Sequence, residues 1–183
     1  MRYSLRIYFL LLLIVTYSAV FSQSDEPKES FKDKVFFGGG FGMFFGTTNY
    51  IELSPLVGYR ITNELSAGIG ITYQYISRKN HPIYVDFNTS VYGGRIFANY
   101  LITDNFFPHA EFEVLSLEYK YFDNAPGRPE NGRYFYESIF VGAGYRFPVG
   151  KSSYITTMLL YNLNYTESSS YDQPYVWRMG FNF

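Results

Sequence analysis

The chain has 183 residues, which is enough for one domain but short for two. Its formal net charge is −1. This balance gives no electrostatic reason to expect a nucleic-acid partner, and the lack of cysteine excludes both a disulfide framework and a lipid-attachment cysteine. Aromatic residues make up 22% of the chain, and glycine occurs 16 times. Large rings combined with glycines are unusual for a soluble core and favour a sheet with two very different faces.

Residues 1–22 have the pattern of a cleavable signal peptide. Arg2 and Arg6 come before an apolar run that is shorter than the roughly 20 residues a membrane-spanning helix needs. We therefore expect removal rather than retention as a membrane anchor. The charged, apolar-poor stretch 23–34 that follows is predicted to be a flexible leader.

From residue 35 onward, apolar side chains recur at every second position, which is typical of strands with unlike faces. The cleanest run, 65–75, alternates Leu, Ala, Ile and Tyr with Ser, Gly, Thr and Gln. No run has helical spacing of comparable strength. The predicted strands are 35–45, 49–61, 65–75, 90–102, 106–121, 135–147, 154–165 and 175–183.

The apolar side of the fifth run changes phase. Apolar residues hold the even positions up to Val114 and then the odd positions Leu117, Tyr119 and Tyr121. One extra residue in a strand exchanges its two faces, so we expect a β-bulge near Val114 and Leu115.

The connections between the runs alternate in length. Polar connections at 77–87, 122–133 and 166–174 are longer than those at 62–64, 103–105 and 148–153, and only the brief connection at 47–49 departs from this order. This alternation is typical of an up-and-down meander of antiparallel hairpins with both chain ends on the short-turn side. The sequence thus predicts an all-β fold, an eight-stranded antiparallel barrel over 35–183.

Two barrels share this topology and differ in which face is inside. A soluble ligand carrier would enclose the apolar face, but the interior of an eight-stranded barrel is barely wide enough for side chains to fill it. The many Phe and Tyr rings exceed that space, whereas the glycine-rich face fits it. Rings that point outward need a hydrocarbon solvent, and a closed barrel leaves no unpaired strand edge there. The sequence therefore predicts a transmembrane β-barrel.

At this point the sequence resembles the small outer-membrane β-barrels of Gram-negative bacteria, the OmpA and OmpX type. The resemblance rests on the signal, on the alternating strands and connections, and on a terminal Phe183 with Phe181 two places earlier. It implies residence in the outer membrane in contact with its lipid. It also implies that Tyr175, Trp177, Phe181 and Phe183 form a signal read by the barrel-assembly machinery. Gly180 lies nearer the chain end than the glycine of the family pattern.

Charged residues fall on the predicted inner face. They are Glu52, Arg60, Arg95, Glu111, Glu113, Arg146 and Arg178. Across the 103–105 turn, Arg95 lies opposite Glu111 or Glu113. We interpret the set as paired charges that plug the lumen; a gate or a narrow pore is the alternative. Arg95→Ala is expected to leave two carboxylates that repel each other and to lower stability.

Catalysis is the least favoured function. Some small outer-membrane barrels that resemble this one act on lipid A or phospholipid acyl chains, which requires a nucleophile beside a base. His81 lies in a loop, and His109 has no serine two residues away. We predict no enzyme activity, no cofactor and no metal site. The expected protein is a monomer with a structural or surface-contact role through its longer loops, which would meet any extracellular ligand; a porin-like pore for small solutes is the alternative.

Overall fold

The computed structural model describes residues 30–44, 48–78, 87–122, 127, 129, 131–150, 152–166, 169, 171 and 173–183. The predicted signal peptide, most of the predicted leader and His81 lie outside these residues. Within them, the strands are β1 Val35–Phe44, β2 Thr48–Arg60, β3 Leu65–Arg78, β4 Phe87–Tyr100, β5 Phe106–Glu118, β6 Arg133–Pro148, β7 Tyr154–Asn162 and β8 Tyr175–Asn182. Two single-turn helices accompany them, α1 Phe31–Lys34 and α2 Tyr119–Phe122.

The strands form a closed barrel in which each strand pairs antiparallel with its chain neighbour and β8 pairs with β1. This confirms the predicted eight-stranded up-and-down architecture. The alternation of the sequence sets the two faces of the wall. On β3, for example, Ile69 and Ile71 are 60% and 63% exposed on the outside, whereas Thr72 and Gln74 are 2% and 1% exposed on the inside.

One end of the barrel carries the connections between β2 and β3, β4 and β5, and β6 and β7, together with both ends of the described chain. We call it the turn end, and the opposite end the loop end. Threonine hydroxyls shape two of the short connections. Thr62 Oγ1 accepts the backbone N–H of Leu65 at 2.9 Å, and Thr103 Oγ1 accepts that of Phe106 at 3.0 Å. These local bonds favour tight turns between consecutive strands.

The predicted β-bulge in the fifth strand is wrong. The pairing of β5 with β6 runs without interruption from Phe106 to Glu118. Leu115 and Leu117 therefore point inward, where they are fully buried against Val91 and Tyr136. The phase change in the sequence marks a lumen that becomes apolar towards the loop end. We call these four residues the apolar plug.

The fifth strand also ends earlier than predicted. Tyr119 and Tyr121 lie in α2 instead of continuing the outer face of β5. Beside this end the pairing of β4 with β5 stops at Tyr92 and Ser116. The Arg133 guanidinium donates to the Ser116 carbonyl at 2.6 Å and to the Ser90 carbonyl at 2.7 Å, so it joins the two strands where the ladder ends.

The last four residues of the predicted leader form α1 and continue directly into β1. The ring of Phe31 packs on that of Tyr59 at a centroid distance of 5.3 Å, which holds this turn against β2. In the described part of the chain, neither helix has the length and apolar character required to cross a membrane.

Candidate functional site: a charge cluster in the lumen

Four charged side chains from three strands meet inside the barrel, together with one tyrosine from the connection between β7 and β8. We call Arg95, Glu111, Glu113, Arg178 and Tyr171 the charge cluster. Strand alternation places the first four on the inner face, because each lies an even number of residues from other inward positions of its strand. Arg95, Glu111 and Glu113 are buried.

Arg178 on β8 is the hub of the cluster. Its Nη1 donates to Glu111 Oε1 at 2.5 Å, and its Nη2 lies 3.5 Å from both carboxylate oxygens of Glu113. The guanidinium carbon also lies 5.1 Å from the centre of the Phe140 ring. One cation thus separates two buried carboxylates that would otherwise repel each other.

Glu113 is fully buried, and it accepts hydrogen bonds from three elements of the structure. Besides Arg178, the Tyr171 hydroxyl donates to it at 2.7 Å, and Thr72 Oγ1 on β3 donates at 3.1 Å. Tyr171 in turn accepts from Arg178 Nη2 at 3.1 Å, and its ring stands edge-on to Phe140. Burial first, and the Glu113 carboxylate second, raise the pKa of the Tyr171 hydroxyl well above its usual value, so it keeps its proton and donates.

Arg95 is the least satisfied member of the cluster. It lies directly opposite Glu113 in the β4–β5 register, one of the two partners that the sequence arithmetic allows. Its Nε is 3.7 Å from Glu111 Oε2, beyond hydrogen-bond range, and its Nη2 reaches the Ser54 carbonyl only at 3.5 Å. Nε and Nη1 have no hydrogen-bond partner in the described structure. Arg178 makes the shorter contacts with both carboxylates, whereas Arg95 forms a longer ion pair with Glu111, and the loss of stability expected for Arg95→Ala stays a prediction.

Two of the predicted inner-face charges lie away from this centre, and a third, Glu52, lies beside it. Arg60 and Arg146 donate to the backbone carbonyls of Asp33 and Asp104 near the turn end, at 3.3 and 2.6 Å. They line the mouth of the lumen because they lie at or near the C-terminal ends of β2 and β6, where the barrel meets solvent. Glu52 accepts a hydrogen bond from the Tyr50 hydroxyl beside the cluster.

His109 is buried next to Glu111 and is held in place by polar neighbours. Its Nδ1 lies 2.6 Å from Asn99 Oδ1, and its Nε2 lies 3.4 Å from Glu111 Oε2. Its ring stacks on Phe97. These contacts orient the imidazole, and none of them is with a serine or threonine hydroxyl that His109 could activate as a nucleophile. Within the described ranges no group of three His, Asp or Glu side chains could hold a metal ion.

The four aromatic residues predicted as the assembly signal all point out of the wall. Tyr175, Trp177, Phe181 and Phe183 alternate along β8 and its end, and each is more than half exposed. The backbone N–H and carbonyl of Phe183 exchange hydrogen bonds with those of Phe37 at 2.8 and 2.9 Å. The final residue is thus also the point where β8 is tied to β1.

Sequence reasoning missed Tyr171, Thr72 and the apolar plug. The alternation predicts Thr72 on the inner face but gives it no role, and it describes the connection that contains Tyr171 only as long and polar. The signal that could have found Tyr171 is a single large ring within the polar stretch 166–174. Such a ring is seldom left in water when an apolar surface such as Phe140 lies within reach.

No protein-family model matches the sequence, and no curated protein matches it. Among solved structures, the chain is similar to the N-terminal β-barrel domain of OprF from Pseudomonas aeruginosa. The two share 11% sequence identity with a TM-score of 0.39, and the alignment covers 81% of this chain and 93% of that domain.

Proposed function

We propose that the chain is an integral outer-membrane β-barrel with a closed lumen and a structural or surface-contact role. The observation that carries the proposal is the contrast between the two faces of the wall. Outward residues such as Ile71, Trp177 and Met179 are each more than 60% exposed, whereas charged Glu113 is fully buried. Water would reverse this arrangement, but hydrocarbon outside a closed ladder stabilises it.

The length of the strands supports the same proposal. The described strands have 8 to 16 residues, and a tilted strand needs about 9 to 11 to cross a bilayer. In this arrangement the turn end faces the periplasm and the longer connections face the outside. Contacts with a surface or an extracellular ligand would then use the loop end.

Two layers of side chains support a closed rather than a conducting lumen. The charge cluster crosses the interior from β5 to β8, and the apolar plug lies next to it towards the loop end. Buried charges that are paired and hydrogen-bonded hold each other in place. Planar-bilayer recordings are expected to show no steady current from the wild-type protein; ion-scale conductance would favour the narrow pore instead.

The C-terminal strand completes the proposal. The outward aromatic positions of β8, ending at Phe183, would serve as the signal for the barrel-assembly machinery as well as lipid-facing residues. Location and fold can be tested together by fractionating membranes and comparing gel migration with and without heating. Recovery in the outer membrane with heat-modifiable migration is expected; a mature chain that is freely soluble without detergent would contradict the proposal.

A further inference from the structure

A cavity of about 280 Å³ opens at the turn end of the lumen; we call it the mouth pocket. The rings of Phe36 and Phe107, which are 8% and 5% exposed, form its inner boundary. Beyond them lies a space of about 40 Å³, close to the volume of one water molecule, which the stacked rings of Phe97 and His109 border. The mouth pocket is therefore blind: a molecule larger than water can enter it from the turn end but cannot continue along the axis.

Two arginines lie on opposite sides of the mouth pocket. Arg60 ends β2 and Arg146 lies near the end of β6, and these two strands stand opposite each other in the ring of eight. Strand alternation places both side chains on the inner face, and both line the pocket. Because the interior of an eight-stranded barrel is hardly wider than its side chains, the two arginines bring like charges into one small space.

The contacts of these arginines hold them in place without neutralising them. The Arg60 guanidinium lies over the Phe36 ring at 5.9 Å, and it donates to one backbone carbonyl at 3.3 Å. The Arg146 guanidinium lies over the Tyr154 ring at 4.5 Å, and it donates to one backbone carbonyl at 2.6 Å. None of the ion pairs of the described residues joins either guanidinium to a carboxylate, the chain terminus included. Their remaining N–H donors are left for water or a ligand.

The charges that line the mouth pocket favour an anion. Against the two arginines stands one side-chain carboxylate, that of Glu64. Glu64 Oε2 accepts a hydrogen bond from the Thr62 hydroxyl at 3.0 Å, which directs it to its own turn. An oxyanion in the pocket would thus accept hydrogen bonds from two cations that have no other anionic partner, and such bonds are stronger than those between neutral groups.

Uncharged polar groups on the wall of the mouth pocket add a second requirement. Ser66, Thr156 and Asn182 line it, and their side chains make no hydrogen bond within the described structure. Hydroxyl groups of a ligand can both donate to and accept from such side chains. The pocket volume is close to the lower limit of about 300 Å³ for ligand sites, and the Phe36 and Phe107 rings offer an apolar floor. A small ring that carries several hydroxyl groups matches these features.

We propose that the mouth pocket binds a single sugar that carries an anionic oxygen group, a carboxylate or a phosphate. The oxyanion accepts hydrogen bonds from Arg60 and Arg146, and the ring hydroxyls bond to Ser66, Thr156 and Asn182. This site goes beyond the closed barrel proposed above, because a blind pocket binds without conducting. Only access from the periplasm rests on that proposal, since the orientation in the membrane decides where the turn end faces.

Binding is measured by isothermal titration calorimetry on the purified protein in a neutral detergent. Glucose 6-phosphate and glucuronate are the test ligands, and glucose and inorganic phosphate control for the ring alone and the charge alone. At least one charged sugar is expected to bind saturably and about tenfold or more tightly than either control. The tighter of the two charged sugars distinguishes phosphate from carboxylate. Absence of binding by both, or equal affinity for either control, would overturn the proposal.

Arg60→Gln and Arg146→Gln are each expected to weaken binding of the charged sugar about tenfold, because a charge-assisted hydrogen bond is replaced by a neutral one. Lys120→Gln removes the same charge from α2 at the loop end, so it is the matched control and should bind as the wild type does. Equal affinities in the three variants would show attraction by net charge alone and would overturn the assignment of the site.

Ser66→Leu tests the position of the ligand without any change of charge. The larger side chain fills part of the mouth pocket, so it should weaken binding of both charged sugars. Unchanged affinity would place the ligand outside the pocket and would overturn the proposal. Heat-modifiable migration of each variant shows that a loss of binding is not a loss of fold. A wild-type protein that needs no detergent would disprove membrane location, yet the same titration could be read in buffer.

Discussion

Replacing Arg178 with methionine is the most direct test of the charge cluster. The substitution keeps much of the side-chain length and apolar stem, but it removes the cation that bonds Glu111 and lies 3.5 Å from Glu113. Both carboxylates would remain buried, at 5% and 0% exposure, with no positive hub between them. The Tyr171 hydroxyl would also lose the hydrogen bond that it accepts from Arg178.

Removing one partner from a buried ion pair typically costs about 3–5 kcal/mol, because the remaining charge stays buried without compensation. Here two carboxylates are left, so we expect the free energy of unfolding to fall by an amount near the upper end of that range. Arg60→Met is the matched control. Its guanidinium is exposed at the turn end, where such interactions contribute about 0–1 kcal/mol.

The measurement is reversible urea unfolding in lipid vesicles or micelles, followed by the fluorescence of Trp177. Adding Glu111→Gln and Glu113→Gln to Arg178→Met should restore part of the lost stability, since neutral amides no longer repel. If Arg178→Met and Arg60→Met have equal effects, the lumen is hydrated and the cluster does not hold the barrel together.

Three further substitutions give independent tests. Leu117→Ala should lower the free energy of unfolding by about 2–5 kcal/mol, because it leaves a cavity in the apolar plug. Leu159→Ala, at an outward position, should lower it clearly less. The reverse order in urea unfolding would show that Leu117 points outward, as the predicted bulge requires. Tyr171→Phe should lower the free energy of unfolding by about 1–3 kcal/mol, because the buried Glu113 carboxylate loses a hydrogen-bond donor. No change in the same assay would mean that the Tyr171 side chain lies outside the lumen. Phe183→Ser should lower the amount of heat-modifiable barrel in cells while the purified chain still folds into vesicles; equal losses in both assays would indicate a purely structural role.

Local alternation predicts most of the barrel because it needs only neighbouring residues. The sequence places Ile69 and Ile71 on one face and Thr72 and Gln74 on the other, and the structure has the same assignment. Hairpin arithmetic across a short turn likewise predicts Glu111 or Glu113 opposite Arg95, and the register has Glu113 there. Both predictions depend on a period of two and on one tight turn, which are properties of the local chain.

The errors arise where distant parts of the chain decide the outcome. Leu115 and Leu117 are apolar on the inner face, because Val91 of β4 and Tyr136 of β6 fill the same layer of the lumen. Their pattern resembles a change of face when read along β5 alone. Tyr171 enters the lumen because Phe140 and Glu113 offer it a ring contact and an acceptor, which no spacing within its own connection encodes.

The two buried arginines of the lumen differ in how their charges are compensated. Arg178 directs its guanidinium at two carboxylates and a tyrosine hydroxyl, so its charge is neutralised by direct hydrogen bonds. Arg95 packs against the backbone of Gly70, whose missing side chain makes room for it; a Cβ there would lie 2.9 Å from Nε. Arg95 Nε and Nη1 are buried without a hydrogen bond, and the Glu111 carboxylate 3.7 Å from Nε compensates the charge only as a longer ion pair. Because a buried donor without an acceptor offsets part of what its ion pair contributes, Arg178 should hold the charge cluster together more strongly than Arg95 does.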